Sequence, residues 1–243
     1  MSLWYLVRMA TNRTYEDSCG VAHGLDLVGE RWAMLVVREL MLGAKRFGDI
    51  KDGLPGISAN VLSHRLDELE RAGLVTRRKL PKPAAVWVYD LTDWARELEA
   101  IMQLFGRWAA RDPRHRKDLH FGVASLILSL RTNFDATLAS GVALTVQLRP
   151  NDEAYVARVA RKKLTIQPGE ASEPAATISG DPRMFAAVTY GGRPFADAVA
   201  TGDLVVAGDR AAAERFLALY TLPPIVGQES SGDDLGLSVA GEH

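Results

Sequence analysis

The chain has 243 residues, enough for one large domain or two of ordinary size, and 47% hydrophobic with 24% charged residues is the composition of a soluble globular protein. A single cysteine excludes an internal disulfide framework, and no apolar run approaches the roughly 18–20 residues a membrane span needs. The opening MSLWYLVRM is too short and too poorly flanked for a signal peptide, so the expectation is a cytoplasmic protein with no membrane partner.

The net charge of −1 hides an asymmetry. Residues 1–117 carry 19 Lys and Arg against 15 Asp and Glu, whereas residues 118–243 carry 10 against 15. A modestly basic first half suits an anionic partner, and the two halves read as units with different jobs.

Residues 1–17 have no period and read as a loose N-terminal arm. Cys19–Gly29 is a short helix. Glu30–Leu42 is a stronger one, with apolar residues nearly all round it, and Gly43 ends it. Lys45–Gly53 turns Phe47 and Ile50 inward and Lys45, Arg46 and Lys51 outward. A tight Leu54-Pro55-Gly56-Ile57 turn then delivers the chain to Ser58–Gly73. There Ser58 is a good N-cap and Gly73 a C-terminal stop. Projected at about 100° per residue, Leu62, Leu66 and Leu69 form a narrow stripe, while Asn60, Ser63, His64, Asp67 and Arg71 point the other way. Asp67 is placed to pair with Arg71, four residues on.

After Gly73 the period switches to two. Leu74–Leu80 and Ala85–Leu91 read as strands joined by a stiff, proline-rich tip, and Thr92 caps a helix over Asp93–Arg111. The apolar stripe of that helix (Leu98, Ile101, Met102, Phe105, Trp108) is expected to pack on a second copy or on the following domain.

Three helices, a two-stranded hairpin and a closing helix are the layout of a winged helix-turn-helix domain, expected over residues 18–112. The Ser58 helix is then the groove reader. Lys45 and Arg46 on the first helix of the pair, and Arg77, Arg78, Lys79 and Lys82 on the wing, are candidates to neutralise phosphates. Ser58 opens the reading helix, and Asn60, Ser63, His64 and Arg65 are candidates to reach base edges. A hairpin edge guarded by charge is the competing reading of the wing cations.

These residues resemble a known family. Cys19, Gly29-Glu30-Arg31-Trp32, Arg38-Glu39-Leu40, Arg46-Phe47, Leu54-Pro55-Gly56-Ile57-Ser58, Leu62, Leu66, Leu69-Glu70, Gly73-Leu74-Val75 and Tyr89-x-Leu91-Thr92 are similar to the HxlR-type winged-helix regulators over residues 17–112. The resemblance implies a bacterial transcription regulator that binds double-stranded DNA as a homodimer through the first and last helices of the unit. The wing tip, Pro81-Lys82-Pro83, is shorter than in many members. In that family the matching cysteine is sometimes a redox or electrophile sensor, so Cys19 is the candidate sensor. Physically, a thiol near a helix N-terminus can have a lowered pKa.

Residues 113–118, polar and broken by Pro113, read as a linker. Beyond them, a helical stretch over His120–Ala139 precedes strands at Val142–Leu148, Ala154–Val159, Leu164–Gln167 and Ala176–Ser179. Helices at Pro182–Tyr190 and Phe195–Ala200, a strand at Leu204–Val206 and a helix at Arg210–Leu219 complete an α+β unit over residues 119–222. Ile178-Ser179-Gly180-Asp181-Pro182, Thr201-Gly202-Asp203-Leu204 and Val206-Ala207-Gly208-Asp209 resemble the SCP2-type (sterol carrier) domain. That likeness implies a curved sheet and a small apolar or lipid-like ligand. Phe134, Leu144, Val146, Leu148, Met184, Phe185 and Phe195 are candidate lining residues, with plain core packing the competing reading of each. Residues 223–243 read as a disordered tail.

The five histidines are scattered, and no Cys-x-x-Cys, P-loop, GxGxxG or GxSxG occurs. The expectation is therefore no metal, no cofactor, no catalytic residues and no enzyme. The reading is a sequence-specific DNA-binding regulator, homodimeric, with a second domain that takes an apolar effector or serves as a dimerisation platform. Its rival is a lipid carrier whose winged helix serves protein contact.

Overall fold

A computed structural model describes residues 14–227; the arm's first thirteen residues and residues 228–243 of the expected tail lie outside the described residues. The first unit contains α1 (Gly20–Val28), α2 (Ala33–Leu40), α3 (Phe47–Asp52), α4 (Ala59–Arg71), β1 (Val75–Lys79), β2 (Trp87–Leu91), α5 (Asp93–Arg96) and α6 (Leu98–Ala109). Its core is one cluster in which Val36, Leu40, Ile50, Leu62 and Leu66 are fully buried, so the leucine stripe of α4 does bind the helix pair to α2.

Local chemistry sets the ends of α4. The Ser58 hydroxyl accepts from the Val61 N–H at 3.3 Å. At the other end Gly73 adopts φ +74, which lets the Leu74 N–H reach back to the Leu69 carbonyl at 2.9 Å. β1 and β2 pair antiparallel, and Lys45 adds a third short rung through two backbone hydrogen bonds to Tyr89, of 3.0 and 2.8 Å. The wing is thereby tied to the entry of α3. The helix expected over 93–111 is two pieces that meet at Glu97.

The second unit contains α7 (Val123–Asn133), β3 (Leu144–Pro150), β4 (Tyr155–Ala160), β5 (Lys163–Pro168), β6 (Ala176–Gly180), α8 (Pro182–Thr189), α9 (Phe195–Ala200), β7 (Leu204–Gly208) and α10 (Arg210–Leu217). Its five-stranded sheet has the order β5-β4-β3-β6-β7, antiparallel except for the β3–β6 pair. Alternation along β4 sends Tyr155, Ala157 and Val159 inward, where they meet Leu126, Ile127, Phe185 and Phe216. Gln147, on the other face of the sheet, is also buried and fully engaged: Nε2 donates to the Tyr155 and Gly169 carbonyls, and Oε1 accepts from the Ala171 N–H at 2.7 Å. α7 is shorter than the expected 120–139 helix because Phe134 turns extended and bridges to Tyr220.

The two units share a buried seam. Leu42 belongs to the second core, Leu128 packs against the first, and Arg131 of α7 reaches Glu99 of α6 at 2.9 Å. Residues 223–227 differ from the expected free tail. Pro223 is buried, and the Val226 N–H donates to the Arg111 carbonyl at 2.9 Å. No helix among the described residues is long and apolar enough to cross a membrane.

Candidate nucleic-acid interface

The outward face of α4 carries Asn60, Ser63 and His64, all exposed. Asn60 and Ser63 make no side-chain hydrogen bond among the described residues, so their donors and acceptors are free for a ligand. His64 lies 3.1 Å from the Glu68 carboxylate, one turn on. Ser58 uses its oxygen as the helix cap and keeps its O–H to donate. Val61, exposed on the flank, adds an apolar surface of the kind that meets a thymine methyl.

Two of the expected contacts are corrected. Arg65 is 9% exposed; its guanidinium pairs with Glu68 and lies 3.8 Å from Glu30. Its helical position falls beside the leucine stripe, so the side chain is drawn into the protein and is not offered to a groove. Lys45 likewise points inward: its ammonium sits 2.9 Å from Glu39, whose side chain is only 3% exposed and which also takes Arg38. Gly53 leaves room for that carboxylate, since any Cβ there would collide with it. Asp67 also departs from expectation, because Arg71 Nε bonds its backbone carbonyl at 3.2 Å.

The remaining cations lie at the preceding helix and on the wing. Arg46 precedes α3, is exposed and makes no ion pair among the described residues. Lys51, on the same short helix, meets the same criteria; its outward spacing was visible in the sequence. On the wing, Arg77 stacks over Trp87 and Tyr89 with its guanidinium 4.8 and 5.8 Å from the ring centres. Arg78 pairs with Asp90 at 3.0 Å, and Arg96 takes the other oxygen of that carboxylate at 2.6 Å. Lys79 and Lys82 are exposed and free of ion pairs among the described residues. Chemically these elements offer uncharged donors and acceptors on α4 and unneutralised cations on α3 and the wing, groups suited to base edges and phosphates respectively.

Cys19 is exposed at the start of α1, where the Val21 and then the Ala22 backbone N–H groups hold its thiol below the usual value. The seven candidate lining residues belong to the second core. Val146, Leu148, Phe185 and Phe195 are buried in it, while Phe134, Leu144 and Met184 pack against it half-buried. Two grooves open elsewhere, one of about 250 Å³ between α1 and α5–α6, the other of about 370 Å³ at the end of α6. Among the described residues no cluster of three or more His, Cys, Asp or Glu is arranged to hold a metal.

Comparison with known proteins gives each unit its own match. The HxlR-like helix-turn-helix family matches residues 27–116, and the alkyl sulfatase C-terminal family matches residues 123–224. The chain is 39% identical to the Bacillus subtilis HTH-type transcriptional regulator YvaP over 85 residues, which is 35% of this chain and 79% of that protein. It is 40% identical to the HTH-type regulator YodB of the same organism over 83 residues, or 34% of this chain and 74% of YodB. The solved reduced form of YodB aligns with a TM-score of 0.37 at 34% identity, covering 40% of this chain and 97% of that one. The second unit's match carries a description other than the sterol-carrier one its glycine motifs suggested.

Proposed function

The chain belongs to the HxlR-like helix-turn-helix transcriptional regulators, and from that premise we propose that it acts as a homodimer on a specific double-stranded operator. The observation that carries the reading is the free polar flank of α4, with Asn60 and Ser63 unengaged, together with unpaired Arg46 and Lys51 at and on the preceding helix and Lys79 and Lys82 on the wing. Two copies of α4 related by two-fold symmetry would enter successive major grooves about one turn, ~10 bp, apart or a small multiple of it.

The dimer contact falls on α1, α5 and α6. Phe105 is 63% exposed, and Val21, Leu25, Trp94 and Ile101 continue the apolar surface. Faces of this extent are rarely left in water. The groove between α1 and α5–α6, with Gly20 and Gly24 opposite Trp94 and Ile101, has the shape to accept a side chain from the second copy.

The second unit is read as a regulatory, non-catalytic domain of SCP2-like character that takes a small apolar effector. Support comes from its position: α7 packs on α2 and α6, which carry the helix pair and the dimer face. An effector shifts DNA binding only by the difference in its affinity for the two arrangements of the dimer. Cys19, exposed and acidified, is the candidate point of chemical sensing.

The test is binding of the full chain to its own upstream DNA with and without extracted cellular lipids. Salt-dependent, sequence-selective binding that lipid modulates supports the reading. Lipid binding without DNA affinity would support the carrier alternative instead.

A further inference from the structure

The end of α6 holds an arrangement that DNA binding does not use. Leu104, Arg107, Trp108 and Arg111 recur at one-turn spacing on a single exposed stripe, facing Pro223 and Pro224 across a groove of about 370 Å³. Its walls are an indole, a leucine and two proline rings. Its charges are the guanidiniums of Arg107, in the last turn of α6, and of Arg111, just past the C-cap Ala110.

Neither guanidinium has a carboxylate partner among the described residues. Asp112, the next residue along, is already engaged by Arg114 through two contacts, of 3.0 and 2.9 Å. Arg111 is also held in place: its Nε donates to the Pro224 carbonyl at 3.2 Å, and its own carbonyl accepts from Val226. The two terminal amino groups of that guanidinium therefore stay available in a fixed orientation.

We propose that this groove is a binding site for an organic carboxylate with a flat apolar body, the carboxylate held by Arg107 and Arg111 and the ring laid between Trp108 and the Pro223-Pro224 wall. Guanidinium forks match carboxylate geometry, and the indole and proline rings match a flat hydrocarbon. Because α6 belongs to the first unit and Pro223-Pro224 follow the last helix of the second, an occupant would touch both.

The experiment is calorimetric titration of the full chain with 2-naphthoate, in the absence of DNA, beside its neutral analogue 2-naphthalenemethanol. The expected result is one saturable site per chain for the carboxylate and at least tenfold weaker binding of the alcohol. Arg107→Gln with Arg111→Gln should weaken 2-naphthoate at least tenfold, while Lys117→Gln, a nearby exposed cation outside the lining, should leave it unchanged. Both variants alter exposed side chains, and an unchanged melting temperature checks their folding. Absence of a saturable site, including through cover by a second copy, would overturn the proposal. So would equal affinity for the alcohol, or equal loss in the Lys117 variant. DNA binding is read separately, so failure here leaves the operator reading standing.

Discussion

Lys45 and Glu39 form an ion pair of 2.9 Å in which the glutamate side chain is 3% exposed, so the lysine that opens the helix pair is directed into the protein. Removing one partner of such a pair costs more than the pair's net worth, because the other charge stays buried. Arg38 remains beside Glu39 and softens the loss. Lys45→Ala is therefore expected to lower unfolding stability by about 1–3 kcal/mol while leaving the salt dependence of DNA binding unchanged. Arg46→Ala should do the reverse, flattening the log–log salt slope by about one unit at unchanged melting temperature. Denaturant melts and salt-series binding on both variants check the pair of outcomes.

Asn60 and Ser63 are predicted to read bases. Replacing either by alanine should cost roughly 1–3 kcal/mol at particular operator positions and little on unrelated DNA. Affinity measured across a panel of single-base operator variants checks this. A loss spread evenly over all sequences would make these residues mere supports of the helix.

The dimer face gives a third expectation. Ile101→Asp or Leu25→Asp places a charge in an exposed apolar patch, so the monomer fold should survive while self-association fails. Sedimentation should then report a monomer, with operator affinity reduced by about tenfold or more because a single half-site remains.

Cys19 yields a prediction in pH. The Val21 and Ala22 N–H groups favour the thiolate, so the alkylation rate should rise with pH through a midpoint below that of a free cysteine. The sign follows directly: a lowered pKa means more thiolate at neutral pH than an unperturbed thiol would show. Iodoacetamide kinetics across pH measure it. Cys19→Ser should abolish any response of DNA binding to oxidants and electrophiles, and an unchanged response would remove Cys19 from the sensing role.

What the sequence disclosed, and what it hid, follows the range of the interactions. The α4 stripe was legible because helical period alone places Leu62, Leu66 and Leu69 together, and all three are buried. The caps at Ser58 and Thr92 were legible for the same local reason. Lys45 was misjudged because Glu39 is buried only once α2 packs, and Arg65, beside the leucine stripe, because its depth depends on packing next to Glu68 and near Glu30 in the turn between α1 and α2. Composition cannot separate a cation that braces the fold from one that waits for phosphate. Lys51 shows the converse, an outward cation whose spacing carried the same signal as Arg46. In the second unit, the short β-branched runs marked the strands, but the parallel β3–β6 pairing joins segments some thirty residues apart and leaves no periodic trace. The hold on residues 223–227 was equally invisible, resting on single backbone and guanidinium bonds to Arg111.

Operator recognition by the dimer is measured by fluorescence anisotropy of the full chain on labelled DNA from its own upstream region, against a scrambled duplex, over a salt series. Affinity is expected to be at least about 10³-fold tighter for the upstream sequence, with a steep fall with salt and two chains bound per site. Equal affinity for both duplexes, or one chain per site, would contradict such recognition.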